Sequence, residues 1–116
     1  MTIATGRVDE CLLVLTSLPD RAAAEQMAGR LVGESLAACV NILAPCRSVY
    51  RWKNEMQFDE EHPLLIKTTR RAYPALEAAI RASHPYEVPE IIALPVTAGL
   101  PAYLDWVAGE TRGASA

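Results

Sequence analysis

The chain has 116 residues, of which 51% are hydrophobic and 22% are charged, and its formal net charge is −3. This composition is typical of a globular domain and excludes intrinsic disorder, because a chain this long can bury about two thirds of its unfolded surface. No run of lysine and arginine is present, so a nucleic acid is not an expected partner. We predict a single domain over residues 1–116, with an ordered core at about residues 8–107.

The cysteines and the length of the apolar run near the start of the chain indicate the cellular compartment. Three cysteines without a Cys-x-x-Cys pair fit a reducing compartment better than a disulfide framework. The apolar run at residues 11–15 is far too short to span a bilayer, and acidic residues rather than basic ones precede it. We therefore expect a cytoplasmic protein without membrane association.

The first predicted elements are a strand and a helix. Residues 8–17 contain an apolar run that predicts a buried strand. Residues 21–36 place small and apolar side chains three and four apart, which predicts an amphipathic helix. Either Ser17 or Asp20 is expected to cap the N-terminus of this helix.

An interrupted strand follows. Residues 38–53 predict a second strand that bends near Pro45, because proline cannot continue a ladder of hydrogen bonds. Beyond the bend the side chains alternate, which places Tyr50 and Trp52 on the same face. Residues 54–57 are predicted to form the turn into the next strand.

The second half of the chain repeats this alternation. Residues 58–69 predict the returning strand, and residues 73–83 predict a second helix. Residues 90–96 are apolar at both odd and even positions, which is typical of a strand covered on both faces. A short helix is predicted at residues 100–107, and residues 109–116 are expected to form a frayed tail.

This order of elements predicts the fold class. Strand, helix, strand, strand, helix, strand and cap helix is the split βαβ pattern of a ferredoxin-like α+β domain, with helices on one face of the sheet. The other face is then bare. We expect the rows formed by Tyr50 and Trp52 and by Leu64 and Ile66 to need a second surface, and another copy of the chain is its simplest source.

Residues 84–96 contain three of the eight prolines. Pro85 disfavours helical geometry at His84, so the preceding helix must end there. Pro89 suits the first residue of a strand, and Pro95 limits that strand to an edge or to its end. Two interpretations of His84 stay open: a helix C-cap, or a metal ligand or proton carrier.

Five sequence blocks carry a resemblance to a known family. They are residues 36–42 (LAACVNI), 48–52 (SVYRW), 65–69 (LIKTT), 84–92 (HPYEVPEII) and 103–106 (YLDW). In this order they resemble the CutA divalent-cation tolerance family. The resemblance implies a ferredoxin-like fold, and a homotrimer built like the PII signalling proteins with clefts between subunits. It also implies tolerance of divalent metals, copper most often, without established catalysis.

The resemblance also bears on metal ligands. In some family members the proposed copper ligands include a cysteine at the end of the first strand and a second histidine before the His-Pro-Tyr block. Thr16 and Ser83 stand in those places here. His84 is then the candidate metal ligand, for a weakly bound divalent ion such as copper that folding does not require. Residues 59–62 (DEEH) are interpreted as a solvated hairpin flank, with a weak divalent-cation site as the alternative.

An intersubunit cleft is the predicted functional site. Lys67 lies within an apolar strand, so we expect its ammonium to pair with Glu90 or Glu61 in a cleft. The aromatic side chains nearby are expected to pack at the interface, with their polar tips satisfied. The predicted members of the cleft are Cys39, Tyr50, Trp52, Glu61, Lys67, Tyr86 and Glu90.

Three functions stay open at this point. The first is a trimeric binding or adaptor protein with weak metal affinity. The second is a PII-like sensor that holds an anionic small molecule in the cleft through Lys67, in a chain that has no glycine-rich phosphate loop. The third is an enzyme using His84, Glu90 and Lys67 as acid–base groups. No nucleophile–base motif accompanies the third, so we expect a protein that is not an enzyme.

Overall fold

The computed structural model describes residues 7–113, which form five strands and three helices. In chain order these are β1 (Cys11–Leu18), α1 (Arg21–Gly33), β2 (Cys39–Ile42), β3 (Cys46–Trp52), β4 (Glu55–Thr69), α2 (Tyr73–Ser83), β5 (Ile92–Pro95) and α3 (Pro101–Glu110). None of the helices in this part of the chain is long and apolar enough to cross a membrane. The bounds of α2 match the predicted helix at residues 73–83.

The sheet has the strand order β2-β4-β1-β5, with every pairing antiparallel, and β3 pairs with β4 off this path. Strands β2 and β3 are the two halves of the predicted interrupted strand, and the break between them contains Pro45. Counting these halves as one strand gives the ferredoxin-like order, so the predicted α+β fold is confirmed.

The hydrophobic core lies between the sheet and the helices α1 and α2. Val14, Leu64 and Ile66 are fully buried there, in one cluster with residues of both helices. The expectation that Leu64 and Ile66 lie on the bare face was therefore wrong. The half-buried Leu13, Leu15 and Leu65 occupy the opposite face of the sheet, because side chains alternate along each strand.

The third helix also departs from the expected arrangement. Cys11 lies on the face opposite to the main core, and it packs in a second buried cluster with Ala38 and Val107 of α3. Helices α1 and α2 therefore cover one face of the sheet, and α3 covers only one end of the opposite face. Its last turn is anchored, because the Thr111 hydroxyl donates to the Val107 carbonyl at 3.0 Å and lies 3.0 Å from Thr69 Oγ1.

Two bounds predicted for the termini of the chain change accordingly. Strand β1 begins at Cys11 rather than at residue 8. Helix α3 continues to Glu110, and within residues 109–113 of the predicted tail Thr111 is buried while the other residues are exposed. Residues 114–116 lie outside the described residues.

Helix α1 begins as predicted but ends three residues early. Asp20 is its N-cap, and its carboxylate accepts a hydrogen bond from the Ala23 amide at 2.8 Å. At the other end Ser35 has a φ of 61°, and the Leu36 and Ala37 amides both donate to the Leu31 carbonyl. This left-handed residue satisfies a free carbonyl and turns the chain toward the sheet, which spacing alone did not indicate.

The turn between β3 and β4 is tighter than the predicted one at residues 54–57. It has two central residues, Lys53 and Asn54, with φ values of 51° and 67°, and Trp52 pairs with Glu55. Positive φ at both positions is characteristic of a type I′ turn, whose twist matches that of the flanking strands. Strand β4 consequently begins at residue 55 and is 15 residues long.

The length of β4 produces a projecting two-stranded ribbon. Its second half pairs with β1 and β2, whereas residues 55–61 pair only with β3. We call residues 46–61 the hairpin arm. Side chains on both of its faces are exposed in the single chain, among them Val49, Trp52 and Phe58.

Strand β5 lies at an edge of the sheet. It is shorter than the predicted range of residues 90–96, and it ends at Pro95, as expected of proline. The expectation that it is covered on both faces was wrong for the single chain. Ile92 and Leu94 are about half exposed, because they pair with Leu15 and Leu13 on the face that α1 and α2 leave open.

Two buried threonines provide a test of this packing. The Thr16 hydroxyl has no hydrogen-bond partner among residues 7–113, whereas the Thr68 hydroxyl donates to the Leu36 carbonyl at 2.7 Å. Both residues are at most 1% exposed. Thr16→Val should therefore raise the free energy of unfolding by about 1 kcal/mol, whereas Thr68→Val should lower it by about 1–3 kcal/mol. Urea unfolding of both variants measures the difference, and equal effects would contradict the hydrogen-bond assignment.

Candidate functional site

The segment that follows α2 is held by the side chain of His84. This residue is the C-cap of α2, and its backbone is extended, as expected before Pro85. Its Nε2 lies 2.7 Å from the Ser17 carbonyl oxygen, and its Nδ1 accepts a hydrogen bond from the Tyr86 amide at 3.2 Å. Since Nδ1 is an acceptor, Nε2 carries the proton and donates to Ser17. The imidazole thus joins the end of α2 to β1 and to the following segment.

A cavity of about 630 Å³ lies between the hairpin arm and residues 85–90. The arm contributes Tyr50 and Trp52 from β3 and Glu61 from β4. The other wall includes Tyr86 and Glu90. These five residues are among the predicted cleft residues, so the fold brings most of that set together around a single concave surface.

The cavity is acidic. Glu61, which is only 9% exposed, lines it together with Glu87 and Glu90. No lysine or arginine of the described residues is part of the lining. Burial and the neighbouring Glu61 carboxylate raise the pKa of Tyr86 above its ordinary value. On the arm, the hydrogen bond that Tyr50 donates to Asp59 is the main cause that raises the pKa of Tyr50 to about 12. Both phenols therefore stay protonated at neutral pH, and Tyr50 donates its hydrogen bond to Asp59.

Cys39 and Lys67 lie apart from this cavity. The Lys67 ammonium contacts the Asn41 side-chain oxygen and lies 3.9 Å from Cys39 Sγ, on the open face of the sheet. It does not pair with Glu61 or Glu90 within the chain, as had been expected. Glu61 is six residues away along β4, which corresponds to about 20 Å.

The open face near α3 holds a second thiol. Burial raises the pKa of the Cys11 thiol, and the positive charge of Lys67 partly offsets this effect. The pKa of Tyr103 is raised as well, mainly by burial, with smaller contributions from Cys39 and Cys11. Lys67 therefore belongs to a group that contains the buried Cys11, the half-buried Cys39 and the phenol of Tyr103, rather than to an anion site beside Glu90.

Comparison with known proteins agrees with this architecture. A family model described as the CutA1 divalent ion tolerance protein matches residues 12–110. The divalent-cation tolerance protein CutA of Thermus thermophilus is 48% identical over 99 residues, which cover 85% of this chain and 96% of the relative. The chain belongs to the CutA1 divalent ion tolerance family. The predicted resemblance is thereby confirmed.

More distant members fit the same description. The chloroplastic CutA protein of Arabidopsis thaliana is 43% identical over 101 residues, which cover 87% of this chain and 56% of that protein. Among solved structures, the divalent cation tolerance protein (Cut A1) of Thermus thermophilus has a TM-score of 0.85 at 46% identity, covering 87% of this chain and 98% of that one. CutA1 from Oryza sativa has a TM-score of 0.86 at 41% identity, covering 89% and 94%.

The residues of a single chain do not fit a metal centre of the kind that the CutA resemblance implies. Residues 7–113 contain no group of three His, Cys, Asp or Glu side chains that could hold a metal ion. Thr16 is buried in β1 next to the Ser17 carbonyl that His84 contacts, so the positions noted above do lie close together. They carry hydroxyls at Thr16 and Ser83, however, and soft or borderline metals prefer thiolate and imidazole ligands.

The acidic run at residues 59–62 is less solvated than expected. Glu61 and His62 are each only 9% exposed, and they point to opposite faces of β4 because they are adjacent in a strand. His62 Nε2 lies 3.5 Å from a carboxylate oxygen of Glu60. This alternation separates the donors, which explains why the run does not form a compact cation site.

Sequence reasoning missed several residues of the cavity. Ser17, Ser48 and Glu87 also line it. Glu87 stands between Pro85 and Pro89, and this position was a usable signal. Ser17 and Ser48 come from two different strands, and only the folded arrangement of β1 and the arm brings them together.

The role of His84 can be tested by mutation. His84→Ala would leave the Ser17 carbonyl and the Tyr86 amide without their partner, so it should lower the free energy of unfolding by about 1–3 kcal/mol. Ser83→Ala, at the exposed neighbouring position, should change it by no more than about 0.5 kcal/mol. Thermal and urea unfolding measure both, and equal stabilities would show that the imidazole does not support this segment.

Proposed function

We propose that the chain is a homotrimeric binding or adaptor protein that contributes to divalent-cation tolerance without catalysis. The hairpin arm is the observation that carries this proposal. Val49, Met56 and Phe58 on one of its faces are between 55% and 62% exposed in the single chain. A two-stranded ribbon without a covering layer is marginally stable in water, so the arm requires a partner surface.

The charges of the arm support a second copy as that partner. The face with Val49 carries two arginines and one carboxylate (Arg47, Arg51 and Glu60), so it is net positive. The face with Tyr50 and Trp52 carries three carboxylates (Glu55, Asp59 and Glu61) and no basic residue within the arm. Two unlike faces favour a heterologous contact, in which one copy presents its basic face to the acidic face of the next. Contacts of this type close into rings when the rotation between neighbouring copies divides a full turn, and otherwise they form open filaments. The resemblance to PII-like trimers supports a ring of three copies.

A binding role is also supported by the environment of the histidines. His84 is hydrogen-bonded to the backbone, and His62 lies beside Glu60. Within residues 7–113 neither is hydrogen-bonded to a Ser, Thr or Cys side chain, which is the arrangement that activates a nucleophile. The three cysteines are unpaired, which supports a reducing compartment such as the cytoplasm.

The proposal includes a metal ion because the relatives are named divalent-cation tolerance proteins. We propose that copper binds weakly and between copies, since the donors of one chain are scattered and the fold has a complete core without it. The alternative of an anionic ligand gains no support from the cavity, because carboxylates line it and Lys67 lies elsewhere.

The oligomeric state provides the first test. Light scattering should give three times the mass of one chain. Trp52→Ala, on the arm, should destabilise the assembly by about 3–5 kcal/mol, as expected for a large aromatic side chain at a packed site. Leu100→Ala, at an exposed position outside the arm, serves as the control. Unchanged mass and melting temperature in the Trp52 variant would remove the arm from the interface.

Copper and zinc titrations provide the second test. We expect weak binding with fewer than one site per chain, and we expect His84→Ala to leave it unchanged because both imidazole nitrogens already have partners. Isothermal calorimetry measures affinity and stoichiometry, with His62→Ala as a companion variant. Sub-micromolar binding that is lost only in His84→Ala would identify His84 as the ligand and overturn this expectation.

A further inference from the structure

The acidic cavity has the composition of a site for an organic cation. Three carboxylates, Glu61, Glu87 and Glu90, and three aromatic side chains, Tyr50, Trp52 and Tyr86, line its 630 Å³. This volume lies within the range of small-molecule sites, about 300–1,000 Å³. We propose that the cavity binds a guanidinium or alkylammonium group, held by the carboxylates and stacked on the aromatic rings.

The burial of Glu61 is the first observation behind the proposal. Its side chain is nine-tenths buried, and among residues 7–113 it forms no salt bridge with a lysine, arginine or histidine. A buried carboxylate without a cation is costly. The neighbouring Tyr86 is neutral, because burial and the Glu61 carboxylate raise its pKa, so it supplies no compensating charge. A cation entering the cavity would compensate the charge of Glu61.

A lysine of the same chain already shows this chemistry at the mouth of the cavity. Lys53 Nζ lies 5.7 Å from the centroid of the Trp52 ring and 3.7 Å from a carboxylate oxygen of Glu87. Its side chain is 71% exposed, so the contact is easily displaced. Trp52 and Glu87 therefore accept an ammonium at the rim, whereas the buried Glu61 remains available farther in.

The same residues disfavour a bare metal ion. A hard divalent cation needs several oxygen ligands converging at about 2.0–2.6 Å. The described residues contain no group of three such donors, and three aromatic side chains share the lining with the carboxylates. A delocalised cation instead combines paired hydrogen bonds to a carboxylate with attraction to the faces of aromatic rings.

The simplest competing interpretation is a solvated acidic surface without a ligand. Glu87 and Glu90 are exposed, as they would be on such a surface, whereas Glu61 is buried. A solvated surface would not select for charge or shape. The two interpretations are separated by a pair of probes, butylguanidinium and its neutral isostere butylurea. Calorimetry with EDTA present, so that metal ions do not compete, should show saturable binding of butylguanidinium alone, weakening as salt is raised.

Three variants test the named residues. Glu61→Gln should weaken butylguanidinium binding about tenfold or more, as expected for the loss of a charged hydrogen bond. Lys53→Gln should strengthen binding, because it removes the competing ammonium. Glu110→Gln, an exposed carboxylate on α3, should change the dissociation constant less than about twofold. Opposite effects at Glu61 and Lys53 are not expected from a general loss of structure.

Clear results would overturn the proposal. They are equal binding of butylurea, no binding of either probe even to the Arg51→Ala variant, or equal affinity in the Glu61 and Glu110 variants. If Glu61→Gln fails to fold, Glu90→Gln tests the same charge at an exposed position, and its indifference would also reject the site.

One more variant distinguishes the two possible sources of the cation. If Arg51→Ala strengthens binding of the probe, an arginine of a neighbouring copy is the natural occupant. If the affinity is unchanged, the occupant is a free small molecule. Either result keeps the cation site and is independent of copper binding.

Discussion

Antiparallel hydrogen bonding along the 15 residues of β4 holds three other strands in place. The second half of β4 lies between β1 and β2 at the centre of the sheet, and the first half carries β3 beyond the sheet. A shorter β4 would leave the core between the sheet and its helices intact. It would remove the arm, and with it one wall of the cavity and the surface that we propose for assembly.

The chemistry of the candidate site differs from what the family name suggests. Divalent-cation tolerance directs attention to thiolates and imidazoles, yet His84 bonds to the backbone and Cys39 lies beside Lys67. The concave surface instead combines carboxylates with aromatic rings. This combination makes charge, rather than metal coordination, the dominant property of the surface, and it is opposite in sign to the site of an anion sensor.

The sequence predicted the elements more reliably than the faces on which their residues lie. Pro45 marks the break between β2 and β3, and Pro85 ends α2, because proline acts on the backbone locally. The run at residues 64–66 is apolar at every position, so it carries no alternation from which a face is assigned. Leu64 and Ile66 are buried under the helices only because of their register with β1.

In the candidate site, too, local motifs were predicted more reliably than the spatial positions of individual residues. The sequence indicated the motif at residues 84–90 and the shared face of Tyr50 and Trp52. In the structure residues of both segments line the same cavity. The pairing expected between Lys67 and Glu61 contradicted the predicted strand itself, because two residues six apart in one strand lie about 20 Å from each other. The left-handed turn at Lys53 was also missed, since lysine has little preference for positive φ. Local rules act along the chain, whereas the cavity depends on two segments approaching from different elements.

The wall of the cavity at residues 85–90 has no regular secondary structure, yet it contains Pro85 and Pro89 and is held at its start by His84. Proline restricts the backbone before the chain folds, so much of the conformational entropy of this wall is already absent from the unfolded state. A molecule entering the cavity then has little ordering to impose on it, which favours affinity. These prolines therefore make this wall of the cavity rigid although it contains no helix or strand.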